Sequence, residues 1–109
     1  GDIISTAFDA DNGTIWFAKN GVWQNSATQT EIENGTTTNS AFSSLDMSKI
    51  YFPAFCIGNT NAVDLNFGNG YFGTTAVSSA GTNASGIGIF EYDVPTGYTA
   101  LCTKGLNGE

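Results

Sequence analysis

The fold of this chain is decided by residues 9–23, which read DADNGTIWFAKNGVW. Two Asn-Gly pairs in this stretch, Asn12-Gly13 and Asn20-Gly21, are flanked by strand-forming residues. Asn-Gly is the strongest short-range signal for a β-hairpin, because both residues tolerate positive φ. Together with residues 2–8, which are rich in Ile, Thr and Phe, the stretch predicts three antiparallel strands joined by tight turns.

The middle strand of this group carries large apolar side chains on both faces. Alternation places Ile15, Phe17 and Lys19 on one face and Trp16 and Ala18 on the other. A strand with this pattern is either covered on both sides or packs its second face against a partner.

Residues 25–44 are dominated by Thr, Asn, Ser and Gly. We interpret them as a loop that is longer than the usual connection inside a compact domain, which marks it as either disordered or functional. One helical turn is expected over residues 45–49.

A hairpin is expected next, with strands over residues 50–57 and 62–67 and a turn at 58–61. Its second strand alternates cleanly, since Val63, Leu65 and Phe67 are separated by polar residues. Pro53 cannot donate to a ladder, so the first strand is an edge strand or is bulged there.

The last third of the chain begins with a second irregular stretch, residues 68–86. Strands are expected over residues 87–92 and 98–103, with a turn at 95–97 between them. Long polar loops on such a scaffold are expected to carry contacts, because loops vary at little cost to the fold.

Length and composition exclude several classes of protein. The chain has 109 residues, which fits one domain, and 12% charged residues against 40% hydrophobic ones. Its 3 Lys+Arg residues against 10 acidic ones leave a net charge of -7 and no basic patch for nucleic acid. It has no His, the usual general base and zinc ligand, and no apolar run long enough for membrane insertion.

Three stretches together resemble known sequences. Residues 9–23 resemble the SPRY domain, in which an Asn-Gly hairpin leads to an aromatic strand that ends in Lys-Asn-Gly. Tyr51-Phe52-Pro53-Ala54 and the segment 63–68 look like the two late strands of that domain. Residues 90–106, which include Val94-Pro95-Thr96-Gly97-Tyr98, are similar to the segment that follows SPRY modules in structural proteins of tailed bacteriophages.

The resemblance implies an all-β fold, an antiparallel concanavalin-like β-sandwich that is incomplete at its N-terminal side. It covers residues 1–109 as one domain or fragment, with SPRY-like strands in 1–67 and closing strands in 68–109. Because the chain starts at Gly1 with strand-like sequence, we expect it to be a piece of a longer protein. The function implied is that of a non-enzymatic virion component, part of a tail or surface protein, whose partners are other virion proteins or copies of itself.

The residues themselves provide little chemistry. Asp9, Asp11 and Asn12 crowd one turn, but the spacing of a calcium loop is missing, so they are expected to shape the turn and no metal or cofactor is expected. Cys56 and Cys102 could form a disulfide or stay as two buried thiols, and a buried thiol is the better interpretation for Cys56. A carboxylate pair for glycoside hydrolysis could come from Glu31, Glu33, Asp64 and Glu91. Of these, Asp64 and Glu91 alone lie on predicted strands, and both occupy positions that are expected to face solvent, so no catalytic pair is expected.

Aromatic side chains are the one feature with binding potential. The candidates for partner contact are Trp16, Trp23, Tyr51 and Tyr71, which could fill a protein interface or stack on a sugar ring, although core packing is the alternative for each. The second function considered is therefore a carbohydrate- or receptor-binding module for attachment to a host.

Overall fold

The computed structural model describes residues 1–59 and 61–106. Three strands, β1 (Ile4–Asp9), β2 (Thr14–Lys19) and β3 (Val22–Trp23), form an antiparallel sheet in the order β1-β2-β3. In the β1–β2 ladder, Ile4 pairs with Lys19 and Asp9 pairs with Thr14. This is the three-stranded group that residues 2–23 predict.

The turn between β2 and β3 has the expected chemistry. Asn20 and Gly21 both have positive φ, 51° and 82°, and form the whole connection. A two-residue turn with positive φ at both positions is type I′, whose twist matches that of the flanking strands. The second Asn-Gly pair of the sequence thus fixes the register of this hairpin.

The turn between β1 and β2 differs from the prediction. It spans residues 10–13 and is held by Asp9, whose Oδ1 accepts the backbone N–H of Asp11 and of Asn12 at 3.0 Å each. Because that carboxylate shapes the turn, only Gly13 takes positive φ (64°) and Asn12 does not. A Cβ at Gly13 would also lie 2.5 Å from the carbonyl oxygen of Leu45, so the position requires glycine.

The core lies on one face of the sheet. Trp16 is 1% exposed and packs with Ala7 of β1 and with two residues from beyond the sheet, Ala27 and Ile32. Trp23 and Tyr98 are partly buried against this cluster. The alternation predicted for β2 is confirmed, since Trp16 and Ala18 share the buried face.

The interpretation of residues 25–44 as a loop is wrong at its centre. A short helix, α1 (Gln29–Glu33), begins with a capping box in which Thr28 accepts from the Glu31 N–H and the Glu31 side chain accepts from the Thr28 N–H. The helix buries Ile32, which is 1% exposed. The Thr-x-x-Glu sequence followed by an isoleucine is the signal that could have identified it.

The hairpin predicted over residues 50–57 and 62–67 is absent from the described parts of those ranges. The Asn61 N–H donates to the Gly58 carbonyl at 3.1 Å, as expected for a turn, but the described residues on either side form no ladder. Pro53 removes one donor, and a two-stranded hairpin without a third strand or a helix to pack on is marginal in water. At residues 45–49 the structure has a single turn, closed by Lys49 N–H to Asp46 O.

The last third of the chain has little regular structure. A two-residue pair of strands, β4 (Tyr71–Phe72) and β5 (Thr75–Ala76), forms a second antiparallel sheet, and α2 spans Thr103–Leu106. The strands expected over 87–92 and 98–103 are not formed in the structure, where Ile89 makes only an isolated bridge to Asn69. The turn expected at 95–97 is confirmed, since the Tyr98 N–H donates to the Pro95 carbonyl at 3.1 Å. The glycines at 86, 88 and 97 all have positive φ, which interrupts an extended chain.

Antiparallel sheets with a few short helices agree with the predicted all-β class at that level of detail. Within the described residues, no helix is both long and apolar enough to cross a membrane.

Candidate interaction surface

The face of the three-stranded sheet that points away from the core is mainly apolar and partly open. Because paired residues of an antiparallel ladder share a face, seven residues lie together there, and we call them the outer face: Ile4, Thr6, Phe8, Ile15, Phe17, Lys19 and Val22. Ile4 is 62% exposed and Val22 is 66% exposed. Because exposed apolar patches are typical of interaction surfaces, this face is the candidate interaction surface.

The outer edge of β1 is unpaired within the described chain. The backbone N–H of Ile15 donates to Phe42 and the carbonyl of Phe17 accepts from Gln24, so both groups point away from β1. In the ladder Ile15 pairs with Phe8 and Phe17 pairs with Thr6, which makes these non-hydrogen-bonded pairs. The N–H and C=O groups of Ile4, Thr6 and Phe8 therefore point to the free edge.

A second exposed apolar region lies beside this sheet. We call residues 50–59 and 61–67 the apolar segment; its large exposed side chains are Ile50, Tyr51, Phe52, Phe55, Ile57, Val63, Leu65 and Phe67. The two regions touch, because the ring centroids of Phe8 and Tyr51 are 6.1 Å apart and the ring planes are tilted by 53°. Apolar surface thus continues from the outer face onto the apolar segment.

The four aromatic candidates for partner contact differ in how far they are buried. Trp16 is buried in the core, so its indole does not reach the surface, and its Nε1 has no hydrogen-bond partner among the described residues. Trp23 is half-buried against the same core. Tyr51 and Tyr71 are 44% and 47% exposed, and Tyr51 lies beside the outer face.

The residues that build the outer face were missed as a group. Alternation in β2 predicts the two faces of that strand, but by itself it does not show that Ile4 and Phe8 of β1 lie on the same face as Ile15 and Phe17. The signal was present, since Ile4, Thr6 and Phe8 alternate in β1, but the register that joins them to Ile15 and Phe17 depends on the length of the 10–13 turn.

Two concave sites lie elsewhere in the molecule. A groove of about 510 Å³ is lined by Leu65, Phe67, Ile87, Cys102, Lys104 and backbone of the neighbouring glycines. A smaller cleft of about 130 Å³ lies beside the β2–β3 hairpin, lined by Ser5, Ala18, Gly21, Trp23, Gln29, Tyr92 and Asp93. The smaller cleft combines two aromatic rings with an amide and a carboxylate, a set that can stack on and hydrogen-bond a polar ring.

The carboxylates act mainly as acceptors that hold loops. Hydrogen bonds from Ser78 lower the pKa of Glu91, and the Thr82 N–H lowers the pKa of Asp93. The Thr96 N–H donates to Glu33 at 2.8 Å and is the main cause of the lowered pKa of that glutamate. The hydrogen bond from Lys19, whose Nζ lies 2.9 Å from Asp2 Oδ2, lowers the pKa of Asp2.

Tyr98 joins the last third of the chain to the core. Its Oη donates to the carbonyl of Ile32 at 3.4 Å, and its ring packs on the core cluster. Burial, with a smaller contribution from the charge of Asp9, raises the pKa of Tyr98 to about 12. The phenol therefore stays protonated above the pH at which an ordinary tyrosine titrates.

No group of three or more His, Cys, Asp or Glu residues that could hold a metal ion occurs in residues 1–59 and 61–106. The Asp9 carboxylate in the crowded turn is engaged by the backbone N–H groups and by the Asn12 amide, at 2.8 Å from its Nδ2. Both cysteines are free thiols, and Cys56 is exposed, so the expectation of a buried thiol at that position is wrong. The reason is that the strand expected to bury it does not form.

Comparison of the chain with models of protein families, with curated proteins and with solved structures found no match.

Proposed function

We propose that this chain is a non-enzymatic structural module of a tailed-phage virion that assembles with other proteins through its outer face and the adjoining apolar segment. The observation that carries the proposal is the exposure of apolar side chains on one face of the sheet, at Ile4, Phe8 and Val22, together with the contact of Phe8 with Tyr51 of the apolar segment. Burial of apolar area stabilises by about 25 cal/mol per Å². A surface of this kind therefore favours association with another polypeptide.

The finer fold is part of the same proposal. In a concanavalin-like SPRY sandwich, the outer face would pack against a second sheet, and the apolar segment would supply strands to it. Its residues suit that role, since Val63, Leu65 and Phe67 alternate with Asp64 and Asn66. The strands that would complete the sandwich come, in this proposal, from neighbouring polypeptide.

We propose that the chain is not an enzyme because its candidate catalytic carboxylates already accept structural hydrogen bonds. Three of the four acidic residues considered for glycoside hydrolysis are engaged by loop or helix backbone: Glu31 caps α1, Glu33 accepts from Thr96, and Glu91 accepts from Ser78. A catalytic pair needs one carboxyl with a raised pKa, whereas hydrogen bonds lower the pKa of both Glu33 and Glu91.

The proposal is tested on particles and on the isolated chain. Mass spectrometry of gradient-purified virions of the phage that encodes this chain should find its peptides at several copies per particle. Their absence would overturn the virion assignment. In solution, Val22→Ser should weaken association measured by sedimentation, whereas Ile89→Ser should not. Ile89 is a matched control because it is 50% exposed and lies outside the outer face.

A second candidate function, binding of a host glycan, is favoured by the small cleft. Trp23 and Tyr92 provide aromatic surface there, while Gln29 and Asp93 provide hydrogen-bonding groups. A glycan screen followed by titration into an Asp93→Asn variant tests this function. Equal binding by the variant and the parent chain would remove the cleft as the site.

A further inference from the structure

We propose that β1 pairs with β1 of a second copy of this chain, antiparallel and about a two-fold axis at Thr6, so that two three-stranded sheets become one. The inference rests on the proposed function, because it names one partner for the edge of the sheet that carries the outer face. It commits to a second copy, and it specifies a register that a mutation can address.

The first step is the edge itself. The outward N–H and C=O groups of Ile4, Thr6 and Phe8 make no hydrogen bond to the rest of the described chain. Exposed edge strands with unpaired backbone groups are templates for pairing with another strand. Nothing in residues 3–8 blocks such pairing, since the segment contains no proline and no ionisable side chain.

The second step is the register. A two-fold axis at Thr6 sets Thr6 opposite the partner's Thr6, and Ile4 opposite the partner's Phe8. All three outward residues then exchange both of their backbone hydrogen bonds with the partner. Axes at Ile4 or Phe8 would leave part of the edge unpaired, so the Thr6 register satisfies the most groups.

The third step is the side chains that meet in this register. Aromatic residues opposite β-branched ones, and threonines opposite one another, are favourable cross-strand pairs. All of them project on the outer face, because Ile4, Thr6 and Phe8 share that side of the sheet. The two outer faces therefore merge into one apolar surface across the axis.

The fourth step is charge. One end of the edge carries Lys19, in an ion pair with Asp2, and the other end carries Asp9 and Asp11 without a lysine beside them. Antiparallel pairing places the end with the Lys19–Asp2 ion pair against the partner's acidic end. A parallel arrangement would place the two acidic ends together, so the smaller charge repulsion favours the antiparallel one.

Pairing of two short strands buries less area than the standard interface of about 1,600 Å², so a weak and reversible dimer is expected. A net charge of -7 on each copy adds a general repulsion that salt reduces. Dimer formation should accordingly strengthen as the ionic strength rises.

The test exchanges charge at the axis. Sedimentation equilibrium of the chain from 10 to 500 µM, roughly the range of weak interfaces, should detect a monomer–dimer equilibrium. Thr6→Lys and Thr6→Glu each place like charges opposite one another, and each should raise the dissociation constant about fivefold. An equimolar mixture of the two variants should restore association, because opposite charges then face each other.

Thr75→Lys is the matched control, since it makes the same change of net charge at an exposed threonine of β5. The near-ultraviolet signal of the buried tryptophan verifies that each variant is folded. Weakening by both Thr6 variants with recovery in the mixture supports the dimer. A monomer throughout the concentration range, or dimers that neither Thr6 variant weakens, would overturn it.

Failure of this test is distinct from failure of the proposed function. Detection of the chain in purified virions does not depend on the register of β1. Absence from virions, in turn, leaves the dimer measured in solution unaffected.

Discussion

The sheet of residues 4–23 and the apolar segment, residues 50–59 and 61–67, have similar apolar, strand-forming sequences, but only the first region forms strands. In the first region, local turns bring consecutive strands into register, and α1 covers one face with Ile32. In the second region, the described residues form no strand, and Ile50 is 92% exposed. Strand-forming sequence therefore becomes a strand only where a partner supplies both hydrogen bonds and a surface to pack on.

The largest expected difference between the regions is at their aromatic side chains. Trp16→Ala should destabilise the domain by about 3–5 kcal/mol, because it removes the largest buried side chain and leaves a cavity. Phe52→Ala, at a side chain that is 78% exposed, should change stability by less than about 0.5 kcal/mol. Urea denaturation followed by circular dichroism measures both, and equal losses would abolish the distinction between the regions.

The same comparison can be made with isoleucine. Ile32→Ala should cost about 2–5 kcal/mol, and Ile50→Ala less than about 0.5 kcal/mol. Because Ile32 is in the core, removal of residues 28–38 should unfold the domain, contrary to what a loop would allow. If the deletion variant unfolds at the same melting temperature as the parent chain, α1 is not part of the core.

A smaller effect is expected at the start of α1. Thr28→Ala removes the hydroxyl that accepts the Glu31 N–H and should cost about 1 kcal/mol. Thr30→Ala is the matched control inside the same helix, where alanine is the more favourable residue. If both changes have the same effect on the denaturation midpoint, the capping box contributes nothing.

The smallest effect at neutral pH is expected at Tyr98. Its folded pKa, about 12, lies above the ordinary tyrosine pKa of 10.0, so the stability that this group contributes is fully present below pH 10 and is lost as the pH rises toward 12. Tyr98→Phe should shift stability at pH 7 by less than about 1 kcal/mol and flatten the loss above pH 10. Tyr71→Phe is the control at an exposed phenol, and an unchanged alkaline transition in Tyr98→Phe would contradict the assignment.

Sequence alone predicted the sheet because its information is local. The Asn20-Gly21 turn and the alternation around Trp16 act between neighbours, and neither depends on distant contacts. The hairpin at residues 50–67 was predicted on the same kind of pattern, but its stability depends on a covering layer that a pattern does not report. Helix α1 was missed because its apolar contact is a single residue, Ile32, inside a polar stretch.

The interaction surface was predicted in outline only. Alternation in β2 indicated a second apolar face, and the structure shows which residues of β1 and β3 complete it. Of the aromatic candidates, Tyr51 lies at this surface whereas Trp16 does not, since whether an aromatic residue faces the core or the solvent depends on which face α1 covers.

Hydrogen exchange of the backbone amides, measured by NMR on a dilute sample, tests the central comparison most directly. The amides of Ser5, Ala7, Trp16 and Ala18 point into the β1–β2 ladder and should exchange slowly, near the rate set by global unfolding. Those of Thr6, Phe8 and residues 50–57 should exchange quickly in the monomer. Slow exchange throughout residues 50–57 would mean that a paired strand lies there, and it would contradict the account of the apolar segment as an unpaired, exposed surface.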